Sequence, residues 1–339
     1  MKIEYVQKIA VFRALQLGDM LCAIPAIKAL RKSYPNAEIV LIGLPWAQSL
    51  VKRFDNYIDR FIHFPGYPGL PEQTFDEPAF EKFVDQMREE KFDLLIQMHG
   101  NGSIVNELMF LMGARHVAGF HSDQCRVDSE LFMEYPEGIY EVTKHLRLME
   151  HLGISVLEPR LEFVFKPEDL VDYEQMQMPV AFQKYICIHP GSRGSWRRWP
   201  GRYFAMLANY CIEQGYTVVI TGSADEYDIT NNMIQHINYP VINLTGKTTL
   251  GSLALLIKNA FMMISNCTGV SHIAAATRTP SIIISMDGEA ERWAPNNKKR
   301  HIMFDWTKQQ KLENVFMKTA FLMQELEKGI ARVRHLERQ

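Results

Sequence analysis

The sequence predicts an α/β protein with two parallel sheets, one in each half of the chain. Three observations carry this prediction. Short apolar runs typical of buried strands alternate with helical patterns, and strands separated by helices form parallel sheets. This alternation stops near the middle of the chain and then starts again. The length of 339 residues also exceeds the size at which one hydrophobic core usually divides into two.

The first half opens with a strand followed by a helix. Lys8–Ala14 has the composition of a buried strand, and Met20–Pro35 has the apolar spacing of an amphipathic helix that ends at its proline. The stretch Phe64–Pro78 is rich in Pro and Gly and predicts a long, exposed, irregular loop. The same criteria predict strands at Ala37–Gly43 and Phe92–Met98 and a helix at Val105–Gly113.

The second half repeats the pattern after a charged, Met-rich stretch, Lys166–Gln183, which we expect to link the halves as a helix or a loop. Its predicted strands are Tyr185–Ser192, Tyr216–Ser223, Pro240–Gly246, Phe261–Ser265 and Pro280–Ser285, and its first helix is Arg202–Gly215. We therefore predict an N-terminal domain over residues 1–170 and a C-terminal domain over residues 180–310. Residues 311–339 predict a final helix with an apolar stripe that packs on a domain, with a membrane-surface helix as the alternative.

The composition excludes several classes of protein. A net charge of −2 gives no sign of a nucleic-acid-binding surface. The five cysteines are scattered singly without a CxxC pair, which argues for a reducing compartment and against a disulfide framework or a zinc site. The first residues lack a signal-peptide pattern, and no stretch approaches about 18 uncharged apolar residues. We therefore expect a cytoplasmic protein without a membrane span.

Candidate site residues follow the strands, because open α/β sheets bind ligands beyond the carboxyl ends of their strands. In FRALQLGDML, Gly18 permits a tight turn and Asp19 stands at the mouth of the next helix. Two roles are open for Asp19: a helix cap, or a general base that takes a proton from a hydroxyl nucleophile. The spacing is not GxGxxG, so this turn lacks a dinucleotide-binding fingerprint.

The turn HPGSRGSWRRWP combines glycines with arginines at a strand end. Gly191 and Ser192 allow backbone N–H groups to converge on an anion. Three side chains, Arg193, Arg197 and Arg198, supply donors that suit phosphate oxygens. The turn therefore predicts a phosphate site, and the alternative is a solvated basic loop.

Two further strand ends carry polar residues. In TGSADEYD, Glu226 either complements a helix dipole or accepts hydrogen bonds from ribose hydroxyls. In SNCTGVSH, Thr268 and Gly269 form a turn at a helix N-terminus, where free N–H groups favour an anion. His272 lies in the first helical turn, either as a packed residue or close to a ligand.

These stretches, together with LGDMLCAIPAIKALRKSYP and GARHVAGF, resemble glycosyltransferase family 9, the ADP-heptose:lipopolysaccharide heptosyltransferases, over nearly the whole chain. The resemblance implies a GT-B fold: two facing Rossmann-like domains with a cleft between them, and a final helix, residues 311–339, that can return to the first domain. It implies an inverting transfer without a metal or cofactor. The expected donor is a nucleotide sugar, first ADP-heptose, and the acceptor a lipopolysaccharide core or another lipid-linked glycan at the inner membrane face.

The resemblance also implies roles for individual residues. Asp19 matches the catalytic base, and Arg197, where the family commonly has lysine, would neutralise the leaving diphosphate. Cys267 stands where the family usually has aspartate, which leaves the donor sugar and base open. The expected donor-binding residues are Gly191, Ser192, Arg193, Glu226, Thr248, Cys267, Thr268, Gly269 and His272.

Alternatives remain open for the residues that face the acceptor and for the class of reaction. Lys28 and Arg31 on the first helix are candidates for facing an anionic acceptor, although each also fits a solvated helix face. A GT-B nucleotide-sugar epimerase would act without an acceptor. A non-catalytic nucleotide-sugar-binding protein is the third possibility, and Cys267 is the feature that favours it.

Overall fold

A computed structural model describes residues 3–156 and 158–336, with side chains described up to residue 331. The chain divides into two compact units, Met1–Val164 and Phe165–Gln339. Each unit contains a six-stranded sheet with helices between its strands, and all strand pairs described in both sheets are parallel. The predicted α/β class with two parallel sheets is confirmed. The division falls shortly before the predicted boundary at residues 170–180.

The first unit is wound around a buried central strand. Its elements are β1 Lys8–Phe12, α1 Leu17–Ser33, β2 Glu38–Gly43, α2 Ala47–Arg53, β3 Arg60–His63, α3 Glu77–Glu90, β4 Leu94–Gln97, α4 Val105–Leu111, β5 His116–His121, β6 Phe132–Glu134 and α5 Glu141–His151. The strand order is β3-β2-β1-β4-β5-β6. The order reverses at β1, so the turn that follows β1 lies at the place where such sheets bind ligands.

Helix α1 departs from its predicted amphipathic character. Every residue from Met20 to Ile27 is buried, including Pro25 within the helix. A helix that is apolar on all sides is usually covered by protein on all sides, and α1 packs against α5 of the same unit. The helix that carries Asp19 is therefore held deep in the first unit.

The second unit repeats this winding. Its elements are α6 Pro167–Gln175, β7 Tyr185–His189, α7 Gly201–Glu213, β8 Thr217–Ile220, α8 Tyr227–Ile234, β9 Ile242–Asn243, α9 Leu250–Asn259, β10 Met262–Asn266, α10 Gly269–Ala276, β11 Ser281–Ser285, α11 Ala290–Trp293, β12 His301–Asp305 and α12 Leu312–Leu336. The strand order is β12-β11-β10-β7-β8-β9. Its core joins the apolar strands to Trp199, Phe204 and Trp306.

Two parts of the second unit differ from the sequence prediction. The stretch expected to be a linker contains α6, which packs on α9 and belongs to the second unit. The strand at Ser281–Ser285 does not end the sheet, because β12 pairs with β11 and forms the edge. His301 begins β12, and its ring Nδ1 lies 2.8 Å from the Ser281 hydroxyl, which helps to fix this pairing.

The final helix packs on the core of its own unit. The apolar stripe predicted from the sequence contains Val315, Met323 and Val333. Val315 and Met323 are buried in that core, as is Leu322, which was not part of the predicted stripe. The side chain of Val333 and residues 337–339 lie outside the described residues. The return of residues 311–339 to the N-terminal domain stays a prediction. No described helix is both long enough and apolar enough to cross a membrane.

The predicted loop Phe64–Pro78 is irregular up to Asp76, where α3 is capped, but its first part is not exposed. Phe64 is 1% exposed, and its ring packs against Phe12 and Phe83 with centroid separations of 5.0 and 5.8 Å. Its large apolar side chain is better covered than solvated, so the loop is anchored in the first core.

Candidate functional site

The turn after β1 places Asp19 beside a buried arginine. Asp19 is the third residue of α1, and the side chain of the preceding cap residue, Gln16, makes no capping hydrogen bond. The Arg13 Nη2 atom lies 3.8 Å from Asp19 Oδ1, and Arg13 Nε donates to the Asp19 main-chain carbonyl at 2.9 Å. Arg13 is 1% exposed, whereas the Asp19 side chain is 21% exposed. Asp19 is therefore the accessible member of this pair.

Sequence reasoning missed the partners of Arg13. The guanidinium also donates to the Met98 carbonyl at the end of β4 and to Glu141 Oε1 at 3.1 Å. Glu141 begins α5, and its carboxylate lies 3.2 Å from Lys144 Nζ and 3.3 Å from His145 Nε2. These residues are 1–2% exposed. No local motif marks them, because a charged residue at a helix start ordinarily reads as solvated.

The two histidines near this site are neutral at neutral pH. Burial, reinforced by the positive charge of Arg13, lowers the pKa of His145 to about 4. The same two causes lower the pKa of His99 to about 3. His99 follows β4, and its Nδ1 atom accepts a hydrogen bond from the Ala14 amide at 3.3 Å. The charges at this end of the first sheet therefore belong to Arg13, Lys144, Glu141 and Asp19.

The structure does not bring Lys28 and Arg31 to Asp19. They lie nine and twelve positions after it in α1, which is roughly 14 and 18 Å along a helix axis. Lys28 pairs with Glu162 at 2.8 Å, and this hydrogen bond raises the lysine pKa. Arg31 pairs with Asp59 and donates to the Ala37 carbonyl at 2.7 Å. Both side chains tie the end of α1 to its surroundings.

In the second unit, one buried amide joins the two predicted phosphate turns. Asn266, at the end of β10, is 0% exposed. Its Oδ1 accepts from the Trp199 amide at 2.9 Å, and its Nδ2 donates to the Pro190 carbonyl at 2.8 Å. The turn that contains Gly191 and Ser192 is thereby fixed beside the turn that contains Thr268. Asn266 was not among the predicted site residues, although it stands in the same polar run.

Thr268 is the cap residue of α10, yet its side chain makes no capping hydrogen bond. Its Oγ1 atom is buried and has no hydrogen-bond partner within residues 3–156 and 158–336. Gly269 begins the helix, so the first free N–H groups of α10 lie beside this hydroxyl. A buried hydroxyl without a partner is unfavourable, and an incoming acceptor would satisfy it.

His272 and Cys267 are both buried at this turn. His272 is 2% exposed, and its ring meets Trp293 edge-on with a centroid separation of 5.9 Å. Both roles predicted for it, as a packed residue and as a residue close to a ligand, stay open. Cys267 is 4% exposed, and its amide donates to the Ile284 carbonyl at 2.8 Å on the neighbouring strand.

An acidic residue that sequence reasoning missed holds Arg197. Arg197 Nη2 lies 2.5 Å from Asp287 Oδ2, just beyond the end of β11. Asp287 Oδ1 accepts from the Ser285 hydroxyl at 2.7 Å and from the Glu289 amide at 3.2 Å. Burial would raise the pKa of Asp287, but Ser285, Arg197 and the Glu289 amide together lower it. Asp287 follows the carboxyl end of a strand, as the predicted site residues do, so its place in the sequence could have marked it.

The other two arginines of the turn have different environments. Arg198 Nε donates to the Ser192 carbonyl at 2.8 Å and so braces the turn from within the chain. Arg193 is exposed. Arg198 therefore supports the turn and Arg193 is exposed at its surface, whereas Arg197 is held by the Asp287 carboxylate.

Glu226 lies directly over Gly191. A Cβ atom at residue 191 would stand 2.0 Å from Glu226 Oε1, so a side chain there would displace the Glu226 carboxylate. Glu226 Oε2 accepts from the Ser223 amide at 2.8 Å and lies 3.4 Å from His189 Nε2. Burial lowers the pKa of His189, and Glu226 opposes that shift. Glu226, which was expected to bind the ribose, thus already contacts the turn that follows β7.

Thr248 is half-buried in the loop between β9 and α9, close to a cavity. The cavity has a volume of about 430 Å³ and is lined from α6 and from the β9–α9 connection, including Asp172, Gln175, Met176, Leu244, Lys247 and Thr249. Its size suits a small flat ring system. Within residues 3–156 and 158–336, no group of three or more His, Cys, Asp or Glu side chains is arranged to hold a metal ion.

Comparison with known proteins decides the family. A protein-family model described as glycosyltransferase family 9 (heptosyltransferase) matches residues 80–320, more than half of the chain. The chain belongs to this family. It is therefore a glycosyltransferase. The matched range contains every expected donor-binding residue and Arg197, while Asp19 and Arg13 lie before it.

Individual relatives agree with this assignment. Lipopolysaccharide heptosyltransferase 2 of Escherichia coli (strain K12) is 24% identical over 301 residues, which cover 82% of each chain. A family 9 glycosyl transferase from Veillonella parvula DSM 2008 has a similar structure, with a TM-score of 0.71 and 18% identity over 96% of this chain and 99% of its own. The structure of E. coli ADP-heptose LPS heptosyltransferase II gives a TM-score of 0.69 and 22% identity over 94% and 99%. These likenesses confirm the α/β fold with one parallel sheet in each unit, which is the fold class of GT-B heptosyltransferase structures.

Proposed function

We propose that this family 9 enzyme transfers heptose from ADP-heptose to a lipopolysaccharide-core acceptor, with inversion at the anomeric carbon. The observation that carries the donor part is the pair of turns joined by Asn266, one of which contains the buried Thr268 hydroxyl, which has no partner among the described residues. The names of relatives support the sugar and the acceptor: two are a lipopolysaccharide heptosyltransferase 2 and an ADP-heptose LPS heptosyltransferase II.

The two turns suit a diphosphate. The N-terminus of α10 presents free N–H groups and the positive end of a helix dipole, both of which favour an anion. A phosphate oxygen there would accept from Thr268 and from the amides of the Gly191 turn. The cavity next to Thr248 then lies along the same strand ends and suits the nucleoside base.

Arg197 would stabilise the leaving group. As the bond between the sugar and the diphosphate breaks, negative charge develops on the phosphate oxygens, and a guanidinium can meet them with two hydrogen bonds. Asp287 holds this guanidinium within the second unit. Cys267 and Asp287 follow neighbouring strands, so this edge of the sheet carries a carboxylate although residue 267 is not acidic.

Asp19 would act as the general base. Its carboxylate lies next to the Arg13 guanidinium, and it is accessible where its partner is not. It takes a proton from an acceptor hydroxyl while the oxygen attacks the anomeric carbon, and the carbon–oxygen bond to the diphosphate breaks. ADP leaves in the same step. One displacement inverts the centre, and we propose that it needs no metal ion.

The acceptor sets the place of the reaction. A lipopolysaccharide core is built on a membrane-embedded lipid, so we propose a cytoplasmic enzyme that meets the inner membrane peripherally. The net charge of −2 gives no reason to expect nucleic acid as a partner.

The test combines ADP-heptose with a lipopolysaccharide core acceptor that lacks heptose. We expect ADP release that depends on the acceptor, an acceptor that gains the mass of one heptose, an inverted anomeric signal by NMR and the same rate in EDTA. An isomerised sugar from donor alone would instead show an epimerase. Donor binding without turnover would show a non-catalytic protein, and preference for a GDP- or UDP-sugar would show a different donor.

A further inference from the structure

We propose that Arg13, Glu141 and Lys144, here named the buried charge cluster, position Asp19 and tune its basicity. This inference rests on the proposed role of Asp19 as the base. Arg13 is distant in sequence from Glu141 and Lys144, yet the fold buries all three side chains to 1–2% exposure. Their role would be to act through Asp19, and they are positioning residues.

The Arg13 guanidinium is the hub of the cluster. Its three nitrogens contact three different parts of the first unit: the main chain of Asp19 in α1, the Met98 carbonyl after β4, and Glu141 at the start of α5. A planar guanidinium bound on three sides has little freedom to rotate. The position of the Asp19 carboxylate relative to a fixed positive charge is thereby set.

Glu141 and Asp19 share one nitrogen of this guanidinium. Arg13 Nη2 lies 3.1 Å from Glu141 Oε1 and 3.8 Å from Asp19 Oδ1. Glu141 therefore holds the hydrogen bond, while Asp19 receives the weaker, longer-range attraction. A carboxylate in a tight bidentate pair would be a poorer proton acceptor. By taking the near position, Glu141 would leave the Asp19 carboxylate a better proton acceptor.

Lys144 and its neighbours keep Glu141 in that position. Lys144 Nζ lies 3.2 Å from Glu141 Oε2 and donates to the Tyr135 hydroxyl at 2.7 Å. His145 Nε2 lies 3.3 Å from Glu141 Oε1, and burial keeps this ring neutral. His99, on the β4 side, is neutral for the same reason, and burial raises the pKa of Tyr140 well above its usual value.

The balance of positive and negative charges explains why Asp19 belongs beside the buried charge cluster. Arg13 and Lys144 are two buried cations, and Glu141 supplies one buried negative charge. Buried charges are tolerated when opposite charges lie beside them. The Asp19 carboxylate, next to Arg13, is the second negative charge, so α1 is fastened to α5 by a cluster that is neutral when Asp19 is ionised.

The test is the pH dependence of transfer in two variants with opposite expected shifts. Glu141→Gln removes a negative charge, so Arg13 turns to Asp19 and the acid limb of kcat against pH moves down by about one pH unit. In the same variant, kcat at neutral pH falls roughly 10-fold, because the base is weaker. Arg13→Gln removes the positive charge, and the acid limb moves up by a similar amount.

Two controls keep the test decisive. The double variant Glu141→Gln/Lys144→Met removes a charge of each sign and should show the same downward shift if the single variant does not fold. Glu150→Gln, an exposed change on the same helix, should leave the pH profile unchanged. The affinity for ADP should stay within about two-fold in all variants, because the donor turns belong to the second unit.

The outcomes separate this inference from the proposed function. If Asp19→Asn retains transfer, the base assignment fails and the cluster has nothing to position. If Asp19→Asn is inactive but the Glu141 and Arg13 variants shift the acid limb in the same direction, or not at all, the positioning role alone is overturned.

Discussion

The strand ends of the two units use polar residues in different ways. In the first unit, Arg13 and Glu141 are buried and bonded to each other, and Asp19 is their accessible neighbour. The second unit also has a charge pair, Arg197 with Asp287, but its turns present main-chain amides, and Thr268 has a buried hydroxyl without a described partner. The same sheet topology thus carries one site whose buried charges bind each other and one site that also presents hydrogen-bond donors to a ligand.

This difference follows from what each site would do. A general base must be held at a defined basicity, and neighbouring fixed charges achieve that. A phosphate site must instead present donors whose hydrogen bonds are completed by the ligand. Four substitutions test the comparison, from the largest expected effect to the smallest.

Replacing the base should separate chemistry from donor binding. We expect Asp19→Asn to lower kcat by roughly 10²- to 10⁴-fold, because the amide cannot take the acceptor proton. The affinity for ADP, measured by calorimetry, should not change. Asp85→Asn, an exposed aspartate of the same unit, is the control with normal kcat. Equal losses of kcat and ADP affinity in Asp19→Asn would contradict the division of roles.

Acid should destabilise the paired site through His145. Its pKa is about 4 in the folded protein, against 6.5 ordinarily. The unfolded chain therefore binds a proton that the folded protein resists. The contribution of neutral His145 to the free energy of unfolding is fully present above pH 6.5. It is lost as the pH drops from 6.5 towards 4, by roughly 3 kcal/mol.

The variant His145→Gln should lose that part of the pH dependence. Urea unfolding at a series of pH values should show a shallower fall in the free energy of unfolding between pH 6.5 and 4. His236→Gln, an exposed histidine that follows α8, should keep the slope of the unchanged protein. An unchanged slope in His145→Gln would mean that this histidine does not resist protonation.

Removing the guanidinium should weaken the donor site. We expect Arg197→Ala to raise the Kd for ADP roughly 10- to 100-fold, because a hydrogen bond between charged groups is lost. The matched control is Arg202→Ala, an exposed arginine of α7 that rests on Tyr203. If both variants bind ADP alike, Arg197 does not contact the diphosphate.

The smallest effect concerns a single hydroxyl and has opposite signs in two assays. Thr268→Val deletes a buried hydroxyl without a described partner, so thermal stability should stay the same or rise by up to about 1 kcal/mol. The Kd for ADP should rise roughly five-fold, because one donor to phosphate is lost.

The matched control for Thr268 lies at the other end of α10. The Thr277 hydroxyl donates to the Ile273 carbonyl at 2.9 Å, so Thr277→Val should lower stability and leave ADP affinity unchanged. A Thr268 variant that loses stability and keeps ADP affinity would show that its hydroxyl serves the fold instead.

Strand ends were predictable where local sequence carries the signal. Apolar runs placed β1, β2 and β4 of the first sheet and β7 to β11 of the second, and Gly-rich turns marked the residues after several of them. The strands β3, β5, β6 and β12 were not predicted. Three of these are edge strands, which are short and mixed in composition, and β5 contains two His and a Gly instead of an apolar run. Asp287 was overlooked, although it follows a strand as plainly as Glu226 does.

The sequence by itself determined the fold class, the family motifs and the turns that would receive a diphosphate, since each depends on residues close together in the chain. The tertiary structure decided which charges share a site. Arg13 and Glu141 are 128 positions apart, and Arg197 and Asp287 are 90 apart. Electrostatic pairing depends on distance in space and on burial, and neither can be read from the order of residues.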